Sequence, residues 1–330
     1  MKEKSKKKTK QKAVGVVMEN RHKSVLLQEV LRGLALRAGD TALDATLGGG
    51  GHAEDIAKAI GKKGTLVGLD ADRDAVTRAE IRLAQIPAKA RPKLILRESN
   101  FRHLADVLEE EGISGLDGAL FDLGWSQNQL ELSGRGFSFQ RDEPLLMTYR
   151  MDIEKGLTAY EMVNKWPQDE LAQILREYGE EKFSGRIARG IVEERRQKTI
   201  ETTGDLVRAV EKYVPDFYRS QKIHAATRTF QALRIAVNEE FVVLEEALGQ
   251  GFDALRPGGR LAVISFHSGE DRIVKHFFKK KVMAGYGRLF TKKPLEAEEG
   301  ELKENPRSRS AKLRVIIKTH THDEHDPVEN

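Results

Sequence analysis

The chain has 330 residues, of which 39% are hydrophobic and 32% are charged, and its net charge is +5. This length and hydrophobic fraction predict one large α/β domain with an insertion, or two domains, and they exclude wholesale disorder. The absence of cysteine excludes disulfides, thiolate nucleophiles and cysteine-ligated metal centres. No apolar run is long enough for a membrane span and no leader sequence opens the chain, so we expect a cytoplasmic protein.

Both ends of the chain are predicted to be tails. Residues 1–20 open with a lysine-rich stretch that has almost no apolar side chain, which is typical of a disordered segment with weak affinity for RNA. Residues 320–330 begin with HTHDEH, whose histidines could bind a metal ion but fit a tail better. We therefore predict no metal site.

Two patterns alternate from residue 24 to residue 124. Short apolar segments are followed by longer segments in which apolar residues recur every three or four positions. These patterns predict helices over residues 24–36, 52–60 and 74–86, and strands over residues 41–46, 64–72, 92–101 and 117–124. Strands that alternate with helices predict a parallel sheet covered on both faces, which is a doubly wound α/β fold.

The alternation stops after this point and returns near the end of the chain. A polar, glycine-punctuated loop leads into residues 157–220, which have helical periodicity almost throughout. The first pattern then returns, with a helix over 238–255 and strands over 261–268 and 311–320. We predict a discontinuous α/β domain, residues 21–134 and 223–319, that is interrupted by an inserted helical domain over residues 135–222.

Four consecutive glycines, Gly48 to Gly51, lie between the first predicted strand and the helix that follows. Such a run is unfavourable in conformational entropy, so it indicates backbone that passes close to a ligand at the carboxyl end of a strand. Gly48, Gly50 and Ala53 also fit the G-x-G-x-x-G/A dinucleotide pattern, which is weak evidence alone. The alternative is a merely flexible turn.

Asp70 closes the second predicted strand. A carboxylate at this position can accept hydrogen bonds from ribose hydroxyls, and both NAD and S-adenosylmethionine carry such a ribose. The alternative is an N-cap of the following helix, a role that Asp72 could fill equally well. The glycine run and Asp70 together predict a site for a nucleoside cofactor.

Asp122 ends the fourth predicted strand, in the sequence Asp122-Leu123-Gly124-Trp125. NAD enzymes need no acid there, whereas amino-group methyltransferases have an acceptor, two residues that turn the backbone, and an aromatic residue. An acceptor on the amine N–H localises the nitrogen lone pair and an aromatic face holds the ring, so that positioning supplies most of the catalysis. Asp122 and Trp125 are therefore candidate catalytic residues, with a core position as the alternative for Trp125.

Nine stretches of the chain resemble the bacterial small-subunit ribosomal RNA cytosine-N4 methyltransferases. They are HKSVLLQEVL (22–31), DATLGGGGH (44–52), GLDAD (68–72), DGALFDLGWSQNQL (117–130), RGFSF (135–139), YGEEKFSGRIARGIV (178–192), HAATRTFQALRIAVNEE (224–240), PGGRLAVISFHSGEDRIVK (257–275) and NPRSRSAKLR (305–314). The resemblance implies a class I, Rossmann-like methyltransferase domain with a helical insertion and S-adenosylmethionine as cofactor. The implied target is a cytidine in the decoding region of 16S ribosomal RNA, within the small subunit. We expect neither a membrane nor an obligate protein partner.

The resemblance also implies the cofactor contacts, at positions where this chain matches the family. They are Gly50, Gly51 and His52 in the loop, Asp70 at the ribose, Phe101 at the adenine, Asp122 and Gln129. His267, after the fifth strand, could assist loss of the amine proton or be a structural hydrogen-bonding residue. The chain departs from the usual family sequence at Trp125, Gln127, Leu146 and Gly269, and these departures concern the substrate pocket rather than the cofactor.

Two helical segments, residues 180–197 and 224–244, have a polar side opposite an apolar side. The basic residues on the polar sides are Lys182, Arg186 and Arg189 in the first segment and Arg228 and Arg234 in the second. A helix that follows RNA phosphates requires such a side. The alternatives are a solvated face for the first segment and salt bridges within the protein for the second.

Three hypotheses follow from these observations. The first is an S-adenosylmethionine-dependent RNA cytosine-N4 methyltransferase. The second is an NAD-dependent oxidoreductase, which the glycine run and Asp70 permit but Asp122 does not require. The third is a non-catalytic RNA-binding assembly protein with a vestigial pocket, and the intact glycine run and both carboxylates argue against it.

Overall fold

The structure is a computed structural model that describes residues 23–123, 133–149 and 156–319. Its centre is a seven-stranded sheet in the order β3-β2-β1-β4-β5-β7-β6. The strands are β1 Thr41–Asp44, β2 Thr65–Asp70, β3 Lys93–Glu98, β4 Leu116–Asp122, β5 Leu255–Ser265, β6 Gly287–Leu289 and β7 Lys312–Lys318. Strands β1 to β5 are parallel, and β7 is antiparallel to both neighbours. The predicted class I methyltransferase fold is confirmed.

The order of the strands reverses between β1 and β4. From β1 the chain proceeds outwards through β2 and β3, and it then crosses to the other side of β1 to form β4. In open α/β sheets, ligands bind outside the carboxyl ends of the strands at such a switch point. We therefore expect a ligand site at the carboxyl ends of β2, β1 and β4.

Helices cover both faces of this sheet, and further helices form a separate block. The helices of the described residues are α1 Leu27–Leu34, α2 Gly51–Ile60, α3 Arg73–Ala84, α4 Leu104–Glu110, α5 Ala159–Lys165, α6 Gln168–Glu177, α7 Ser184–Gln197, α8 Thr203–Tyr213, α9 Asp216–Arg219, α10 Thr227–Val237, α11 Glu240–Asp253, α12 Ser268–Met283 and α13 Glu299–Glu304. One face packs on α11 and α12 through Phe252 and Phe278, and the other on α2 and α3 through Ile56 and Leu83. These buried layers fix the strand ends relative to one another.

Helices α5 to α10 form a block with its own hydrophobic cluster. The cluster extends from Leu145 to Val237 and is separate from the two layers on the sheet. The Thr202 side chain caps α8 together with Asp205, in a reciprocal capping box. The domain boundary at residue 222 stays a prediction, since the block's apolar packing continues through α10 to Val237.

The structure differs from the predicted elements in several places. Strand β5 begins at Leu255, before the strand predicted over residues 261–268, and its pairing with β4 shifts register near its start. Strand β6 and helices α4, α12 and α13 were not predicted. Among the described residues, no helix is long and apolar enough to cross a membrane.

Candidate active site

The loop from β1 to α2 holds the four glycines. Gly48 and Gly50 have φ angles of 51° and 76°, in the left-handed region that favours glycine. A Cβ at Gly50 would press on α3 at 3.1 Å and one at Gly51 would clash with Ser24, whereas one at Gly49 would meet nothing within 4 Å. The loop thus packs tightly on one side and is open at Gly49. The first amides of α2, which have no intrahelical acceptor, begin beside this opening.

Asp70, at the end of β2, holds this loop in place. Its Oδ2 accepts a hydrogen bond from the N–H of Gly48 at 2.8 Å, and its Oδ1 accepts one from the N–H of Asp72 at 2.9 Å. Burial raises the pKa of Asp70, and these two hydrogen bonds oppose the rise. The alternative that Asp70 caps α3 is not what the structure shows, because the Asp72 side chain accepts the capping N–H of Asp74.

Three neighbouring strands, β2, β1 and β4, end on the carboxylates of Asp70, Asp44 and Asp122. Asp44 is only 1% exposed. Burial raises its pKa to about 6, and the charges of Asp122 and Asp70 act in the same direction, against that of His52. The three strand ends therefore form one row of negative charge beside the glycine loop.

His52, in the first turn of α2, lies inside this row. Its Nε2 is 2.9 Å from the carbonyl oxygen of Val25, and its Nδ1 is 3.4 Å from Oδ2 of Asp122. Both neighbours are acceptors, an environment that favours the doubly protonated, cationic ring. Burial alone lowers the pKa of His52, but the hydrogen bond and charge of Asp122, with the charge of Asp44, outweigh burial and raise it.

The contacts of the His52 ring suit a role in orienting Asp122. Both ring nitrogens have acceptors of the protein as neighbours, and no group of three metal-ligating side chains occurs in the described ranges. The backbone N–H of Asp122 also donates to Oγ1 of Thr46 at 2.7 Å. Asp122 is thus held from both its side chain and its backbone.

Asp44 and Thr46 belong to the site although no sequence pattern had assigned them to it. Both belong to the same stretch as the glycine loop, and Asp44 ends β1 as Asp70 ends β2. Aspartates at the ends of three successive parallel strands were the signal that could have identified Asp44. A row of three carboxylates with one histidine cation attracts a cationic ligand and repels a pyrophosphate, which argues against NAD.

Phe101 follows β3 and packs edge-on against Phe121 of β4, with ring centroids 5.9 Å apart. It is half-buried, so part of its ring remains available to a ligand. Two other predicted site residues, Trp125 and Gln129, lie outside the described residues, as does Gln127. The predicted role of Phe101 at an adenine stays a prediction.

His267 is the N-cap of α12. Its Nδ1 accepts the N–H of Glu270 at 3.3 Å, and the Glu270 carboxylate accepts the N–H groups of Phe266 and His267 in return. Nε2 lies 3.0 Å from Glu270 Oε1 without hydrogen-bond geometry and is buried. Because the lone pair of Nδ1 serves the cap and Nε2 is closed off from solvent, the structure favours the structural alternative for His267 over the catalytic one.

The basic side predicted on residues 180–197 is exposed along α7 and the residues before it. Lys182 and Arg186 have no ion pair among the residues that the structure describes, and Arg189 lies 3.7 Å from Glu193. All three side chains are exposed, so a phosphate backbone could reach them. Their role in RNA binding remains a prediction.

The two arginines of the second segment make contacts inside the protein. Arg234 donates to both carboxylate oxygens of Glu240, at 2.9 and 3.0 Å, in a largely buried pair. Arg228 donates to the hydroxyl of Tyr218, which donates to Glu181. Salt bridges and hydrogen bonds within the protein, the alternative considered above, therefore account for both arginines, and we do not retain them as RNA contacts.

Comparison with known proteins gives consistent matches. The model of the MraW methylase family matches residues 19–319. "Ribosomal RNA small subunit methyltransferase H" of Geotalea uraniireducens is 46% identical over 312 residues, which cover 90% of this chain and 98% of that protein. Proteins of the same name from Symbiobacterium thermophilum and Acetivibrio thermocellus are both 45% identical, over 90% and 91% of this chain and 96% and 100% of their own lengths.

Proposed function

The chain belongs to the MraW methylase family, and from this we propose that it methylates the N4 amino group of a cytidine in the decoding region of 16S ribosomal RNA. Relatives at 45–46% identity are named for methylation of the small-subunit ribosomal RNA. The sequence stretches shared with the cytosine-N4 methyltransferases support the base and the atom. The structural observation that carries the proposal is the row of Asp70, Asp44 and Asp122 beside the glycine loop.

The cofactor is S-adenosylmethionine, which supplies an electrophilic methyl group on a positively charged sulfur. The carboxylate row fits such a cation, whereas the first amides of α2 suit its carboxylate group. We assign the ribose to Asp70 and the adenine to Phe101, with Gly50, Gly51, His52 and Gln129 as further contacts. Asp70 can accept hydrogen bonds from the ribose while it also accepts the N–H of Gly48, because each carboxylate oxygen has two lone pairs.

Asp122 is the residue that we assign to the target amine. Its carboxylate can accept a hydrogen bond from the N4–H group, which localises the lone pair and holds the nitrogen in line with the methyl group. That interaction strengthens as the nitrogen becomes positive, so it stabilises the transition state more than the bound substrate. His52 acts as a positioning residue because its Nδ1 lies beside Oδ2 of Asp122. Trp125 remains our candidate for the surface that holds the base.

The substrate context follows from the same proposal. We propose that Lys182, Arg186 and Arg189 contact RNA phosphates and that the block over residues 135–222 recognises the substrate beside the discontinuous cofactor domain. The substrate we favour is the small ribosomal subunit rather than naked RNA, and an enzyme that modifies it would work in the cytoplasm. No protein partner is needed for this account.

The proposal is tested by mapping the methylated atom. The protein is incubated with isotope-labelled S-adenosylmethionine and small subunits that lack the modification, and the modified nucleotide is located by mass spectrometry. We expect label on the N4 atom of one cytidine, and none when S-adenosylhomocysteine is added in excess. Label on another base or on a ribose hydroxyl would refute the assignment, and parallel reactions with naked 16S RNA decide which form is the substrate.

A further inference from the structure

A second basic surface lies on α12, on β6 and on the residues that follow β6. Between Asp271 and Glu296 every charged side chain is basic. Six of these side chains are exposed and have no ion pair in the part of the chain that the structure describes: Lys275, Lys279, Lys280, Arg288, Lys292 and Lys293. We call them the α12–β6 surface.

The lack of acidic partners at this surface is not a consequence of composition. The chain has 51 acidic and 56 basic residues, yet no acidic residue occurs between Asp271 and Glu296. In this segment Arg272 and Lys281 pair with Glu180 and Asp253 of other segments. The six cations of the α12–β6 surface have no acidic partner of this kind, which indicates that they bind an external anion.

Arg260 at the edge of this surface lies in a positive environment. Arg260 of β5 and Arg288 of β6 pair with the same residue of β7, Ile317, from its two sides. Burial lowers the pKa of Arg260, and the charges of Arg288 and Arg37 lower it further. A phosphate group bound beside Arg260 and Arg288 would compensate this positive charge.

Exposed apolar side chains lie among these cations. Met283 is 77% exposed, Tyr286 48% and Phe290 38%, and the guanidinium of Arg260 lies 5.7 Å from the centre of the Phe290 ring. Aromatic rings beside cations are what a single-stranded nucleic acid uses, because bases stack on the rings while phosphates meet the charges. Tyr286 and Phe290 flank β6, and helix α12 packs on this strand.

Arg288 of this surface is at the end of the sheet opposite the candidate active site, since Arg288 and Arg260 pair with the same residue of β7, Ile317. Arg260 and Ser265 lie five residues apart on β5, which corresponds to ~17 Å along a strand. Ser265 is at the carboxyl end, where Asp122 ends the neighbouring strand. After β6 the chain returns towards that end, where Leu295 pairs with Leu313. An RNA segment held at Arg288 is therefore distant from the segment that carries the target nucleotide.

We propose that the α12–β6 surface binds the phosphate backbone of a second ribosomal RNA segment, with Tyr286 and Phe290 stacked on unpaired bases. The identity of the RNA rests on the proposed function, but its binding does not require methylation. The surface would anchor a folded RNA or subunit while the target cytidine lies at Asp122. Its loss should weaken substrate binding and leave the chemical step unchanged.

The test compares two triple variants. Lys279→Gln, Lys280→Gln and Arg288→Gln remove three charges from the surface. Lys62→Gln, Lys89→Gln and Lys93→Gln, the matched control, remove three exposed and unpaired lysines near β2 and β3. Binding to a fluorescent 16S ribosomal RNA fragment and to poly(U) is measured across a salt series, with circular dichroism as the check on folding.

The α12–β6 triple variant should bind both RNAs at least about tenfold more weakly at low salt and lower the log–log salt slope by about two. The control triple should keep the wild-type slope. A Tyr286→Ala, Phe290→Ala variant should lower affinity about fivefold or more with the slope unchanged, because stacking releases no counterions. The KM for small subunits should rise while kcat and the Kd for S-adenosylmethionine stay the same.

Two results would overturn the proposal. One is a salt slope for the α12–β6 triple equal to that of the control. The other is unchanged RNA binding with lost binding to phosphatidylserine vesicles, which would make the surface a membrane contact. If the wild type methylates no ribosomal RNA but the α12–β6 triple still lowers the salt slope, the proposed function fails and the RNA-binding surface stands.

Discussion

Asp44 is a buried carboxylate, and its charged form lowers the stability of the folded protein. Its pKa is raised from 3.8 to about 6, so between these values the folded protein binds a proton more readily than the unfolded chain. The contribution of Asp44 to stability is therefore fully present below pH 3.8 and lost as pH rises through about 6. A charge kept under this disadvantage in the carboxylate row is consistent with a role in binding a cation.

Asp44→Asn should remove the loss of stability that accompanies ionisation of Asp44. We expect the variant to be more stable than the wild type at pH 7, by on the order of 2 kcal/mol, and the difference to vanish towards pH 4. Urea unfolding at pH 4, 5, 6 and 7 measures it, and S-adenosylmethionine should bind more weakly to the variant at pH 7. Parallel stability curves for the two proteins would show that Asp44 does not titrate in this range.

Gly269, one of the departures from the family sequence, is explained by its neighbour. A Cβ at this position would meet the end of the Phe241 ring at 2.5 Å. We expect Gly269→Ala to destabilise the protein by about 1–3 kcal/mol through overpacking. Phe241→Leu added to the same chain should recover most of that loss, because the shorter side chain vacates the space. A double-mutant cycle from urea unfolding measures the coupling, and additive effects would contradict a shared space.

At the scale of elements, the cap of α12 decides between two roles for His267. Asn can accept the N–H of Glu270 as His267 does, so His267→Asn should keep both stability and turnover. His267→Ala should lower the free energy of unfolding by about 1 kcal/mol and leave kcat and the pH–rate profile unchanged. A large loss of kcat in the Asn variant at unchanged stability would restore the catalytic role.

The buried strands were predictable from sequence, and the elements that depend on contacts with distant residues were not. Strands β1, β2 and β4 are buried runs bounded by turn residues, so their patterns are strong. Strand β6 has three residues and is defined by pairing with β7, which no local pattern reveals. His267 follows a strand in the sequence, but the reciprocal contacts with Glu270 that make it a cap appear only once α12 is formed.

At the scale of the whole molecule, the basic side of α7 is predicted to contact the substrate. Replacing Lys182, Arg186 and Arg189 with Gln should lower the log–log salt slope of RNA binding by about two and raise the KM for small subunits. The Kd for S-adenosylmethionine should not change, because these residues belong to the helical block. An unchanged salt slope would mean that this side of α7 faces only solvent.

Helical spacing alone could not show which basic side chains are exposed and available to RNA. Arg186 and Arg234 both lie on the polar sides of amphipathic helices, yet Arg186 is exposed and Arg234 pairs with Glu240 six positions later. The difference arises because the chain turns between α10 and α11 and brings Glu240 back to Arg234. The carboxylate row was partly predictable, since each aspartate ends a strand, but the charge of His52 depends on Val25 and Asp122, which are far apart in sequence.

The central claim is that methyl transfer occurs at the carboxylate row, with Asp122 on the target amine. Asp122→Asn tests it most directly, since its amide oxygen can still accept from Nδ1 of His52, whereas its NH2 group cannot accept a hydrogen bond from the target amine. Turnover on small ribosomal subunits at saturating S-adenosylmethionine is measured together with the cofactor's Kd. We expect turnover to fall about 100-fold or more, and the Kd for S-adenosylmethionine to change much less. Intact turnover at saturating cofactor would contradict it and make Asp122 a cofactor anchor only.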